Sequence, residues 1–409
     1  MRDLMPVAEA LSRILASVAL PVEAEQVSVA EAGRRTLAAD VAALRTQPPF
    51  PASSMDGYAV RSVDLRQGPT VLHVVGTSAA GHGFPGSIGS HEAVRIFTGA
   101  PVPMGSDAIL IQEDATRDGA QVRARETVVP GRFIRRRGLD FSEGEMLLRA
   151  GETLDARRLA LAAASGHGHL AVRRRPRVAI LATGDELVAP GTVAAWDQII
   201  ASNALALSVL VESAGGMAID LGIAGDSLPA LEAGICRARD LRADLLVTLG
   251  GASVGDHDLV QSALLREGLD LAFWRIALRP GKPLMHGHLG RMSVVGLPGN
   301  PVSAIVCGIL FVVPAIRAML GDPGAGADRS EPATLGRAVA ANDGRADYMR
   351  ARLDLASDRV PIAHPEERQD SSMLSVLGHS EALLIREPHA KAAKSGDPCR
   401  IIRLDRNLT

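Results

Sequence analysis

Three stretches of the chain run apolar without alternation: VAILA (178–182), LLVTL (245–249) and MSVVGL (292–297). A strand with one wet face alternates between apolar and polar positions, whereas a strand covered on both faces does not. Each run opens into a glycine-bearing loop, TGDEL at 183–187, GGASVG at 250–255 and PGNP at 298–301. Helical patterns lie between or after them: ALALSVLVESAGG, SLPALEAGICRARD and the run after Pro301. Strands alternating with helices predict an α/β sandwich over 175–322 with a mostly parallel sheet. In such sheets ligands bind beyond the carboxyl ends of the strands, where these three loops fall.

On either side the pattern changes. Residues 45–137 carry short apolar stretches (TVLHVVGT, EAVRIFTGA, DAILIQED, QVRARETV) separated by Gly, Pro and Asp, which predicts a small β domain. Residues 330–409 alternate again in YMRARLDL, ALLIRE and CRIIRL, and predict a second β domain. The segments 1–44 and 138–174 mix helix and short strand; in the second, Asp155 is placed to cap a helix. The fold class is therefore multidomain, α/β plus β. One apolar run of 13 residues, AIVCGILFVVPAI at 304–316, is shorter than the ~20 a membrane-spanning helix needs. Ser303, Pro314 and Arg317 bound or interrupt it, so a buried helix is expected.

Composition narrows the function. At 409 residues the chain exceeds one ordinary core, and several domains follow. Its 44 basic and 46 acidic residues leave a net charge of −2, so no global field recruits nucleic acid or an anionic membrane. Anion binding must be local. Three widely spaced cysteines without a CxxC pair argue against a disulfide framework or zinc finger and suit a reducing, cytoplasmic setting.

The chemistry-bearing residues cluster in the loops. Thr183 and Gly184 offer hydroxyl and backbone donors, and Asp185 and Glu186 place two carboxylates at a strand end. Gly250, Gly251, Ser253 and Gly255 form a loop whose amides can approach phosphate oxygens, although it is neither a P-loop nor a dinucleotide fingerprint. Asp256 and Asp258 beside it are suited to Mg²⁺. Pro298, Gly299, Asn300 and Pro301 read as a helix start, with Asn300 as N-cap, Pro301 in the first helical position and Ser303 extending an anion seat. Arg279 and Lys282 flank Pro280-Gly281 on a stiff loop. Singly, each of these is equally a turn, a cap or a solvated charge. The histidine pairs His167/His169 and His286/His288 lack a third ligand.

As an ordered set, PPFPASSMDGYAV, RIFTGAPVPMGSDAILIQED, RRRGLDFSEGEMLLRAGETL, RPRVAILATGDELVAPG, SNALAL, LLVTLGGASVGDHDLV, RPGKPLMHG, VVGLPGNPVSAIV, YMRARL and RQDSSMLSVL resemble the MoeA family along nearly the whole chain. That family comprises the molybdopterin molybdenumtransferases and is similar to the gephyrin E domain. The resemblance implies an elongated homodimer of four-domain chains, in which 1–44 with 138–174 form a discontinuous linker and dimerisation domain. It implies Mg²⁺-dependent insertion of molybdate into adenylylated molybdopterin with release of AMP, alongside other molybdenum cofactor synthesis proteins. Family catalytic positions fall on Asp56, Thr98, Asp140, Glu186, Asp226, Asp258 and Lys282, with Glu186, Asp226 and Asp258 at the metal. Molybdate positions fall on Arg279, Lys282, Ser303, Arg350, Ser371 and Ser372. In the family the small β domain of one subunit faces the sheet domain of the other.

The sequence departs from the family at Arg279, where lysine is usual, at Leu139 in place of an acid, at Pro51, and at Ile200-Ala201. Two other functions fit the same fold: a non-catalytic molybdopterin-binding scaffold, and a tungstate-handling paralogue. Retained Asp56, Glu186, Asp258 and Lys282 favour the enzyme.

Overall fold

The computed structural model describes residues 4–250, 259–354 and 360–404. Its centre is a layer of β1 (Arg177–Thr183), α1 (Asn203–Ser213), β2 (Met217–Ala224), α2 (Leu228–Asp240), β3 (Leu245–Leu249), α3 (Leu259–Arg266), β4 (Asp270–Trp274), β5 (Met285–Leu289) and β6 (Met292–Leu297). The six strands lie in the order β2-β1-β3-β6-β5-β4. The first four run parallel; β5 lies antiparallel to β6, and β4 antiparallel to β5, so that β4 again runs with the first four. The unbroken apolar runs follow from this arrangement: every residue of β3 and β6 is buried, because helices cover both faces.

One face packs α1, the helical stretch Pro301–Met319 and the N-terminal helix Val7–Ser17, whose Ala10 and Ile14 join the same core as Val247, Val295 and Val312. The other face packs α2 and α3 around Leu181, Leu246 and Val294. Each fully buried Val, Leu or Ile contributes roughly 1.5–3 kcal/mol relative to exposure, so a charge at Val247 or Val295 would disrupt the first of these two layers.

The apolar run after Ser303 is part of a longer helix than its pattern predicts. Pro301–Met319 spans 19 residues and is apolar and long enough to cross a membrane, but its most apolar 18-residue window is 78 % buried inside the protein. Pro314 does not interrupt it. The backbone widens into a π turn over Gly308–Val312 and continues as Val313–Met319. Such a turn accommodates a proline that has no amide hydrogen and whose ring crowds the carbonyl one turn back.

The small β unit is a six-stranded sheet in the order Ala108–Ile111, Gly57–Val60, Glu92–Ile96, Val71–Ser78, Gln121–Ala124, Ala115–Asp118. Between it and the central layer stand two short antiparallel pairs, Ala24–Ser28 with His169–Arg173 and Val41–Ala42 with Met146–Leu148. Helix Ala156–Ala164 packs with them, and Asp155 caps it by accepting from the Arg158 amide at 2.9 Å. At the far end, Ala346–Asp354, Ile362–Pro365, Glu331–Leu335, Pro398–Arg403 and Ala382–Arg386 close into a five-stranded barrel through the pairing of the first with the last. The two-residue strand Leu278–Arg279 leaves the central layer and pairs in parallel with Ala346 and Asp347 of that barrel.

Candidate active-site cleft

Because β1, β2, β3 and β6 are parallel, their carboxyl ends share one edge of the sheet. TGDEL follows β1, Asp226 follows β2, Gly250 follows β3 and Pro298 follows β6. Hydrogen bonds to main-chain carbonyls lock three of these ends together. Thr183 Oγ1 donates to the Leu249 carbonyl at 3.1 Å, and the Gly250 amide donates to the Leu297 carbonyl at 3.2 Å. Gly250 has φ +98°, and a Cβ there would stand 2.7 Å from the Thr183 carbonyl oxygen and 2.9 Å from its hydroxyl. Only glycine fits.

These loops form one side of a cleft of ≈ 1110 Å³. Thr183, Gly184, Glu186, Asp226, Gly250, Pro298, Gly299, Asn300 and Ser303 line it, with Arg279 and Lys282 from the PGKP loop. The barrel supplies the opposite side through Arg345 and residues 369–372, and Leu187, Ile199 and Ile200 form an apolar rim. Asp185 is spent on structure: its Oδ1 accepts the Asp226 amide at 3.0 Å. The Glu186 carboxylate has no hydrogen bond or ion pair among the described residues and so remains available to a ligand.

Pro301 occupies the first helical turn as predicted, but Asn300 does not cap. Its Nδ2 donates instead to Ser371 Oγ at 2.7 Å, and the Val302 amide donates to the Ser371 carbonyl at 3.1 Å. The barrel thus supplies the cap that the local sequence appeared to provide. Ser303 is buried, and its hydroxyl has no partner among the described residues. Asn203 Nδ2 holds the Gly299 carbonyl at 2.7 Å.

The two bases of the PGKP loop differ. Lys282 is exposed in the cleft without an ion pair among the described residues. Arg279 is committed to the barrel, with Nε 2.9 Å and Nη2 2.5 Å from Asp347 Oδ2, and Nη2 2.9 Å from Asn342 Oδ1. Asp347 beside it strengthens the guanidinium's hold on its proton. Arg350 lies behind the cleft wall, 1 % exposed, with Nη2 donating to the Asp370 carbonyl at 2.9 Å and Nε without a partner among the described residues. Burial lowers its pKa. Gln369 clips both backbone groups of Arg350, at 2.9 and 3.0 Å, and this positions the 369–372 wall. Ser372 donates through its hydroxyl and amide to Asp370 Oδ1 and holds that carboxyl below the usual range.

Asp56, Thr98 and Asp140 do not line this cleft. Asp56 and Thr98 nevertheless form a unit: the Thr98 amide and hydroxyl both donate to Asp56 Oδ1 at 2.8 Å, and the amide chiefly lowers the Asp56 pKa. Asp140 sits in a loop whose amide donates to the Gln47 carbonyl at 3.0 Å. Gly251, Ser253, Gly255, Asp256 and Asp258 lie outside the described residues. Among the described residues no group of three or more His, Cys, Asp or Glu side chains is placed to hold a metal. Glu186 and Asp226 both line the cleft and are of the donor type Mg²⁺ takes beside phosphate oxygens and water. His286 is 1 % exposed, its Nδ1 lies 3.0 Å from the Val294 carbonyl, and burial pulls its pKa down to about 4.

Sequence reasoning missed the residues that reach the cleft from afar. Gln369 and Asp370 stand in RQDSSML, where only the serines drew notice. Asn342, Asp343 and Asp347 carried no local signal, since their partner Arg279 is more than sixty residues away.

Family models match the chain in three consecutive blocks: the MoeA N-terminal region (domain I and II) over residues 5–166, a probable molybdopterin binding domain over 179–318, and the MoeA C-terminal region (domain IV) over 332–404. It is 38% identical over 314 residues to the molybdopterin molybdenumtransferase of Haemophilus influenzae, covering 76% of this chain and 77% of that protein. It is 35% identical over 355 residues to molybdopterin molybdenumtransferase 2 of Mycobacterium tuberculosis, covering 84% and 86%. A crystal structure of the molybdopterin biosynthesis moeA protein from Pyrococcus horikoshii superposes with a TM-score of 0.84 at 26% identity, covering 98% of this chain and 99% of that one.

Proposed function

The chain belongs to the MoeA family of molybdopterin molybdenumtransferases, and we propose that its cleft inserts molybdate into adenylylated molybdopterin and releases AMP. The observation that carries this reading is the convergence of four strand-end segments and a barrel wall on one cleft, in a protein whose net charge is only −2. A polyanionic substrate then needs local seats, and the cleft is lined with them.

In this reading Gly250 and Gly299 let phosphate and pterin oxygens approach the main chain without a Cβ in the way, while Thr183, Gly184, Pro298 and Asn300 complete that side. Lys282 and Ser303 hold the oxyanion, with Ser371 and Ser372 facing them from the barrel. Glu186 and Asp226, with Asp258, hold Mg²⁺, which when bound neutralises phosphate charge that these carboxylates would otherwise repel. Arg350 stiffens the serine wall from behind. Asp56, Thr98 and Asp140 serve the cleft of a second copy in a homodimer, since they do not line their own. The protein then acts in the cytoplasm with other molybdenum cofactor synthesis proteins. Its working units divide near residues 45, 138, 175 and 330.

The test incubates purified protein with adenylylated molybdopterin, molybdate and Mg²⁺ and follows AMP. The expected result is AMP formed in step with molybdenum cofactor and suppressed by excess chelator. AMP released at the same rate without molybdate would contradict the transfer, and an unchanged rate in chelator would contradict the metal.

A further inference from the structure

We propose that Asp347 is a positioning residue for the anion selectivity of the cleft: it holds the Arg279 guanidinium back, so that Lys282 is the cation a bound oxyanion meets. This rests on reading the cleft as an oxyanion site. The register places Arg279 directly beside Asp347 where the short strand Leu278–Arg279 joins the barrel. The Asp347 side chain is 9% exposed, and Arg279 is its ion-pair partner. A carboxylate so buried is costly to leave alone, so it does not release the arginine readily. The second restraint is equally fixed. Asn342 Nδ2 donates to the carbonyls of Arg345, Arg386 and Glu387 at 2.7, 3.0 and 2.9 Å, which aims its Oδ1 at Arg279 Nη2. Only Nη1 is loosely held, 3.4 Å from the half-exposed Asp343.

The same device recurs on the next cation. Arg345 also lines the cleft, and its Nη2 is 2.7 Å from Asp343 Oδ2. Of the cations lining the cleft, Arg279 and Arg345 therefore each have a carboxylate behind them, and Lys282 has none among the described residues. Two freely offered arginine forks would make a second seat open to every small dianion alike, and the anion that fits the Lys282 seat worst would gain most from it. With them restrained, anions are separated by fit to Lys282, Ser303 and the serine wall, and selectivity is a difference of affinities.

The experiment measures binding of sodium molybdate and sodium sulfate to the full chain by titration calorimetry at constant ionic strength, without any turnover. The wild type should prefer molybdate. Asp347→Asn removes the countercharge and frees N–H groups, so sulfate should bind about tenfold tighter, the effect of one charge-assisted hydrogen bond gained, with a smaller gain for molybdate. Asp347→Glu should return the ratio towards wild type. Asp343→Asn, at an exposed position that places little burden on folding, should move the ratio the same way by a smaller factor. A ratio unchanged in Asp343→Asn and in folded Asp347→Asn would overturn the proposal. Loss of both anions in Asp347→Asn would also overturn it and leave Asp347 a structural strut. If the wild type binds neither anion, the oxyanion reading of the cleft fails, and this inference fails with it.

Discussion

On the sheet side of the cleft, Thr183, Gly250 and Leu297 are joined through hydrogen bonds to main-chain carbonyls and a glycine that admits no Cβ. On the barrel side, the side chains of Arg279 and Asn300 reach those of Asp347 and Ser371, and they add to one short strand pairing and the Val302–Ser371 main-chain bond. The first wall is held within the sheet by tight backbone geometry, and the second leans on charge and amide contacts between distant segments. The two walls should therefore fail differently: the sheet side by steric insult, the barrel side by loss of a partner.

The largest effect is expected at Gly250. Gly250→Val places a β-branched side chain at φ +98° and against Thr183, which should cost roughly 3 kcal/mol or more and lower the unfolding midpoint. A midpoint unchanged from wild type would mean that the three strand ends are not locked as described.

Acid should come next, and it should strike the sheet first. The pKa of buried His286 on β5 falls from 6.5 to about 4, so the folded state refuses a proton that the unfolded chain accepts. The neutral form supports the fold fully above pH 6.5, and that support is lost as pH falls from 6.5 towards 4. The loss approaches roughly 3 kcal/mol. The barrel's Asp343 is held down at about 2 by Arg345, so its ion pairs persist through that window. Denaturant unfolding at pH 7.5 and 4.5, in wild type and His286→Phe, checks this. The variant should lose less stability on acidification.

A smaller effect separates the bridge from the cap. Asn300→Ala should cost about 0.5–1.5 kcal/mol through its bond to Ser371, and Asn300→Ala combined with Ser371→Ala should cost little more than either alone. Additive losses would mean that the two residues act separately and that Asn300 is an ordinary helix cap.

The same contrast decides what the sequence disclosed. The central sheet, its glycine loops and Pro301 were legible because each depends on neighbours in the chain. Asp155 was read as a cap and is one, since its acceptor role is local. Asn300 had equally good cap chemistry and does something else, because a serine 71 residues on competes for its amide. Arg279 looked like a free cation for the same reason: its partners lie 63–68 residues away in a domain whose docking no local pattern encodes. Pro314 looked like a helix boundary, but the tightly packed core kept the helix intact and the π turn absorbed the proline.

In the proposed reading both walls close on one oxyanion seat, whose cation Lys282 has no ion pair among the described residues. The most direct measurement is the molybdate dependence of AMP release in Lys282→Ala at saturating adenylylated molybdopterin. Losing one charge-assisted hydrogen bond, roughly 1.5–3 kcal/mol, should raise the half-saturating molybdate concentration about ten- to a hundredfold while pterin-nucleotide binding stays near wild type. An unchanged molybdate dependence with weakened pterin-nucleotide binding would make the PGKP loop a phosphate clamp and contradict the seat.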